Sequence, residues 1–284
     1  MPQPVKDQSN YPLVSSTSHL QGLWESGGFA LSLQLPPLLT ANASNFVKQL
    51  ATQIPAFDAV VTADAPDGAV AVSSLAMAAM LKRAGIEAVV QISGRDRNRL
   101  ALQSDLLGLG ALDIHTLLID MRPLTRESLG QNADARLVTD LNGAALLATA
   151  VRMRDEGRFI SGASIKKRPV FYIGAFFPLE QSIESAVLSN AQFVVTTPIG
   201  DLQRFTAALR VFQAAHADFL SSRPLLVSLP LTPDSSGEAD IQQVVTSIET
   251  LRSFKEIRGF NIVVGRQRNL SMLEQVVRIA NLQR

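Results

Sequence analysis

Short, almost unbroken apolar runs recur along this chain and alternate with longer amphipathic stretches, and that alternation constrains the fold more than any single motif. The runs Phe29–Leu35, Ala59–Thr62, Ala88–Ser93, His115–Asp120, Pro169–Phe176, Phe193–Thr197, Pro224–Leu229 and Gly259–Gly265 read as strands. Segments such as AVVQIS, FVVTT and PLLVSL are apolar at successive positions, as expected for a parallel sheet covered on both faces. Helices are expected near Asn42–Ile54, Ala69–Ala84, Asn98–Leu112, Asp140–Glu156, Glu180–Ser189, Gly200–Ala217 and Ile241–Phe254, with a last one from Leu270 to Leu282. Strand–helix units repeated in this number over 284 residues match a (β/α)8 TIM barrel. An open doubly wound sheet is the alternative, but no G-x-G-x-x-G follows the first strand, as a dinucleotide-binding sheet would require. The expected organisation is one α/β barrel over residues 25–284. A polar extension, residues 1–24, precedes it as a tail or as a cap over one barrel end.

Composition narrows the chemistry. With 46% hydrophobic and only 18% charged residues the chain can bury a large core, and a net charge of +1 gives no reason to invoke nucleic acid or an anionic membrane. The absence of cysteine excludes disulfides, thiolate zinc sites, iron–sulfur clusters and a cysteine nucleophile. No apolar run reaches the roughly 18 residues of a membrane span, and the first 24 residues lack a signal-peptide pattern. A soluble, cytoplasmic protein is expected.

In a (β/α)8 barrel the chemistry sits at the C-terminal ends of the strands. There the sequence places Thr62 and Asp64, Arg95 and Asp96, Asp120 and Arg122, Phe176 and Phe177, Thr196 and Thr197, Asp201 and Arg266. The three histidines, His19, His115 and His216, fall elsewhere, which argues against a histidine-ligated metal or histidine acid–base catalysis. Each rim pair has two readings. Arg95 and Asp96 contact a ligand, or form an ion pair within the loop with Asp96 capping the next helix. Thr62 and Asp64 bind a ligand, or belong to a plain Asp-Ala-Pro-Asp-Gly turn. Asp120 and Arg122 form a functional pair or a surface salt bridge. Phe176-Phe177 stack on a ring or pack beneath a loop. Arg266 and Arg268 lie where barrels often bind phosphate. Lys166-Lys167-Arg168 reads as a solvated loop.

The segment Arg95-Asp96-Arg97-Asn98 through Gln103-Ser104-Asp105-Leu106-Leu107-Gly108, RDRNRLALQSDLLGLGALDI in full, resembles the methylenetetrahydrofolate reductase family. A looser similarity runs from about Phe29 to Thr232, through Pro36-Pro37, Thr62, Gly174-Ala175-Phe176, Thr196 and Asp201. The resemblance implies a (β/α)8 barrel with FAD at the C-terminal rim, a hydride passed from NAD(P)H through the flavin, and 5,10-methylenetetrahydrofolate as substrate. It assigns cofactor contacts to Thr62, Asp64, Arg95, Asp96, Ala175 and Phe176, substrate contacts to Thr197 and Asp201, and the catalytic role to Asp120, with no metal.

Departures from the family pattern fall where the reaction can least tolerate them. Leu33 stands in place of a catalytic Glu, with Gln34 beside it, and Arg122-Pro123 in place of a Gly-Asp. Thr197 replaces a glutamine, Ala186 a lysine near the cofactor phosphates, and Gln91 a histidine. Protonating the folate needs a positioned acid, whose loss removes on the order of 10²–10⁴ in rate. The first reading is therefore an enzyme in which Asp64, Asp96 or Asp120 supplies the proton. The second is a non-catalytic folate- or flavin-binding homologue or a partner subunit of a one-carbon complex, as a homo-oligomer or with another chain. The third is a barrel that handles methyl-folate for methyl transfer without a redox step.

Overall fold

Runs that are apolar on both faces can bury both only between a filled lumen and an outer layer of helices, and the strands take that arrangement. The computed structural model describes residues 18–53, 56–65, 68–130, 132, 134–231 and 241–265. The strands are β1 (Ala30–Gln34), β2 (Ala59–Thr62), β3 (Ala88–Ile92), β4 (Thr116–Asp120), β5 (Tyr172–Phe177), β6 (Phe193–Thr196), β7 (Leu225–Leu231) and β8 (Ile257–Val264). They pair in chain order, all parallel, and β8 returns to β1 to close the barrel. The (β/α)8 architecture is thus as expected.

The helices are α1 (His19–Glu25), α2 (Ala43–Gln53), α3 (Ser74–Arg83), α4 (Arg99–Ala111), α5 (Gly143–Asp155), α6 (Ser185–Leu188), α7 (Leu202–Ala215), α8 (Ala217–Ser222) and α9 (Ile241–Leu251). Several start on side-chain caps, which satisfy N–H groups that the first turn leaves without partners. Ser73, Asn98, Asn142 and Asp201 cap α3, α4, α5 and α7 in this way. Two expectations change. The helix expected over Glu180–Ser189 shrinks to the single turn α6, because the chain leaves β5 through a turn at Pro178 and the Gln181 side chain donates to the Met121 carbonyl. The helix expected over Gly200–Ala217 breaks at His216 into α7 and α8. The helix expected at Leu270–Leu282 lies outside the described residues. Among the described residues no helix is long and apolar enough to cross a membrane.

Two apolar layers hold the barrel. The outer one lies between the strands and helices and includes Leu33, Val60, Val90, Ile92, Leu117, Ile119, Ala175, Phe177 and Ile262. The inner one fills the N-terminal half of the lumen with Ala30, Ala59, Val61, Val89, Leu118, Tyr172, Phe176, Phe193, Val195 and Leu226. α1 covers that end: Leu20 and Trp24 join the inner layer, and the Trp24 indole N–H donates to the Arg258 carbonyl at 3.0 Å. Gly174 leaves room for the Phe193 ring, which a β-carbon at that position would overlap. Gly174→Val should therefore cost about 1–3 kcal/mol by overpacking, measured by chemical denaturation; native stability in that variant would show that the lumen has slack.

Candidate functional site

Alternation along each strand sends every second side chain into the lumen. Along β1, Ala30, Ser32 and Gln34 face inward while Leu33 joins the outer layer. Above the aromatic floor the inward positions turn polar: Ser32 and Gln34 on β1, Gln91 on β3, Asp120 on β4, Ser228 on β7 and Asn261 on β8 are all buried. This polar ring at the C-terminal half of the barrel is the candidate site.

Asp120 is its charged member and is only 4% exposed. One carboxylate oxygen accepts from the Arg122 backbone N–H at 3.1 Å and from Arg122 Nε at 2.9 Å. The other accepts from Arg122 Nη2 at 2.7 Å and from Gln91 Nε2 at 3.3 Å. The Arg122 guanidinium also lies over the Phe176 ring, 5.2 Å from its centre. Asp120, Arg122, Phe176 and Gln91 thus form one unit at the mouth, an ion pair held against an aromatic face.

The RDRN segment forms a second cluster with a different character. Arg95 is 4% exposed, and its guanidinium donates to the carbonyls of Ala65 and Ser128 at 3.1 and 3.2 Å and to Asp96 at 3.3 Å. It ties the loops after β2 and β4 to the loop after β3. Gly94 permits the approach, since a β-carbon there would strike the Leu141 carbonyl. Arg97 bonds Asp64, and donates to Asp105 at 3.0 Å and to the Ser93 carbonyl at 3.2 Å. Burial pulls Arg97 down, but Asp64, Asp96 and Asp105 together hold it above its ordinary value. Asn98, not Asp96, caps α4, accepting from the N–H groups of Leu100 and Ala101 at 3.1 and 3.0 Å. Arg99 in turn grips Asp140, whose carboxyl it holds below the ordinary aspartate range.

The candidate residues of the sequence therefore divide. Asp120 and Phe176 meet at the mouth, and Asp64, Arg95 and Asp96 meet in the RDRN cluster. The structure does not join the others to either group. Thr62 is buried, with its hydroxyl donating to the Val89 carbonyl at 3.4 Å. Ala175 faces the helices in the outer layer, as does Phe177, whose ring lies 5.9 Å from Phe212. Thr197 is half-buried just past β6, and exposed Asp201 caps α7. Arg266 and Arg268 lie outside the described residues.

Gln34, Ser228, Asn261 and Ser32 are not among the rim residues that the sequence singles out, although one signal marks them. Each is an uncharged polar side chain in a strand made mostly of apolar residues. Among the described residues, the arginines of the RDRN segment do not fit the pyrophosphate of FAD. A dinucleotide needs cations or amide N–H groups turned toward it, whereas Arg95 and Arg97 are bound to carboxylates and backbone carbonyls within the protein.

No protein-family model and no curated protein matches the chain. Solved structures do match it. An uncharacterized protein from Clostridium thermocellum that binds two copies of 5-methyl-5,6,7,8-tetrahydrofolic acid aligns with a TM-score of 0.60 at 10% identity, over 93% of this chain and 98% of its own. A long-chain alkane monooxygenase aligns with a TM-score of 0.56, also at 10% identity, over 90% of this chain and 92% of its own. At such identity these likenesses show the fold.

Proposed function

We propose that the mouth of this barrel binds a reduced folate by its pterin ring. The observation that carries this reading is the buried Asp120 carboxylate, clamped by Arg122 and Gln91 beside the Phe176 face. A pterin presents two N–H donors along its pyrimidine edge and a flat ring. A fixed carboxylate complements the edge, and an arginine stacked on an aromatic residue complements the ring. The folate ligand of the Clostridium thermocellum neighbour supports the same ligand class.

Hydride transfer from NAD(P)H through FAD to 5,10-methylenetetrahydrofolate is the less supported form of this chemistry. It needs a proton donor at the pterin. Asp120 is the carboxyl group among the described lumen residues, and it is ion-paired with Arg122. Leu33, at the position where the resemblance puts an acid, points away from the lumen. A barrel that holds a reduced folate, for methyl transfer or as a subunit of a one-carbon complex, fits these residues better.

Calorimetric titration with (6S)-5-methyltetrahydrofolate tests the reading. The wild type should bind it, and Asp120→Asn should weaken binding by about 10–100-fold, the worth of a hydrogen bond to a charged group. No heat from the wild type would overturn the proposal. A visible flavin absorption band in the purified protein would restore the flavoenzyme reading.

A further inference from the structure

We infer that Gln34 is a specificity-determining hydrogen-bond donor in the mouth, and that Asn261 is the residue that aims it. The inference deepens the reduced-folate reading and rests on it. Asn261 is fully buried on β8 between β1 and β7, in register with Ser32 on one side and Ser228 on the other. Its Oδ1 accepts from the Ser32 hydroxyl at 3.0 Å. Its Nδ2 donates one hydrogen to the Ser228 hydroxyl oxygen at 3.0 Å and the other to Gln34 Oε1 at 3.3 Å.

The direction of this network follows from counting hydrogens. With the Asn261 amide turned over, its oxygen would accept from Ser228 and Gln34, and its NH2 group would have Ser32 alone to serve. One N–H would then be buried without a partner. That costs more than the spare lone pair left in the observed arrangement. Asn261 therefore fixes the Gln34 carbonyl toward the barrel wall. The Gln34 NH2 group is left without a partner among the described residues, on a side chain 8% exposed at the mouth. Gln91 is held the other way, its Nε2 spent on Asp120 and its Oε1 left to accept. The mouth thus offers a fixed donor from β1 and a fixed acceptor from β3, both uncharged. A pterin ring, with a ring carbonyl and ring nitrogens as acceptors and an amino group as donor, is the chemical class that uses both, with Gln34 donating to a ring acceptor.

The test is a set of calorimetric titrations with (6S)-5-methyltetrahydrofolate, each variant first checked for a native melting transition. Gln34→Glu keeps the shape and removes the donor. It should weaken binding about tenfold or more near neutral pH, with recovery as the pH falls and the new carboxyl regains a proton to donate. Asn261→Asp gives Gln34 a carboxylate to donate to, which turns its NH2 group away from the mouth. It should weaken binding about tenfold in the wild-type background, but hardly at all once Gln34→Ala has removed the amide. A merely structural Asn261 would weaken binding equally in both backgrounds, and that result overturns the aiming role. If Asn261→Asp does not fold, Gln34→Glu decides alone: wild-type affinity across the pH range overturns the inference while leaving the folate reading intact. Absence of binding by the wild type removes both.

Discussion

Trp24→Ala is expected to cost about 3–5 kcal/mol of stability, as truncation of a buried tryptophan does, and to lower the melting temperature by roughly 5–8 °C. The indole is 8% exposed and closes the N-terminal end of the lumen. Its ring centre lies 5.4 Å from Phe193 and 5.9 Å from Tyr172, which themselves stack at 5.1 Å. Removing it opens a void against rigid strands, where the surroundings cannot collapse. Trp24→Phe keeps a ring in place and gives up the hydrogen bond to the Arg258 carbonyl, so its cost should fall to about 1 kcal/mol. Denaturant unfolding of the two variants separates packing from hydrogen bonding. Wild-type stability of Trp24→Ala would mean that α1 does not hold the barrel closed.

That helix also shows what the sequence conceals. His19–Glu25 lies in a stretch rich in Ser, Gln and Pro, and its apolar residues Leu20, Leu23 and Trp24 form a stripe too short to stand out by periodicity. The strands were legible because burial on both faces leaves continuous apolar runs: AVVT, AVVQI, TLLID and FVVT all became strands where expected. The same continuity hides which side chains face the lumen. A strand apolar on both faces carries no parity signal, and a shift of one residue exchanges its faces. Barrel closure settles that parity, turning Gln34 inward and Leu33 outward, and Phe176 inward with Ala175 outward. Asp120 was legible because a charge ending a run as apolar as TLLID has few places to go except the rim. The partners of Arg95 were not, because Ala65 and Ser128 act through backbone carbonyls, which no side-chain pattern reveals.

Arg97→Leu should be the most destabilising change in the RDRN segment, at about 3 kcal/mol or more, because removing one partner of a buried ion pair strands the other. The side chains of Arg97 and Asp64 are 20% and 9% exposed, while Asp96 can turn to solvent more easily at 42%. Burial pushes the Asp64 carboxyl up, against the pull of Arg97 and of the Ser93 N–H. Without Arg97 the upward push prevails further. A carboxyl whose folded pKa lies above its unfolded value contributes stability at low pH that is lost as pH rises through the folded pKa. The destabilisation of Arg97→Leu should therefore be larger near pH 8 than near pH 5, and adding Asp64→Asn should recover part of it by removing the stranded charge. Melting curves of the single and double variants at the two pH values test this directly. A segment that served only a ligand would leave those curves unchanged; one that locks the loops after β2, β3 and β4 around the mouth would not, and the contacts of Arg95 and Arg97 with those loops lead us to expect the second outcome.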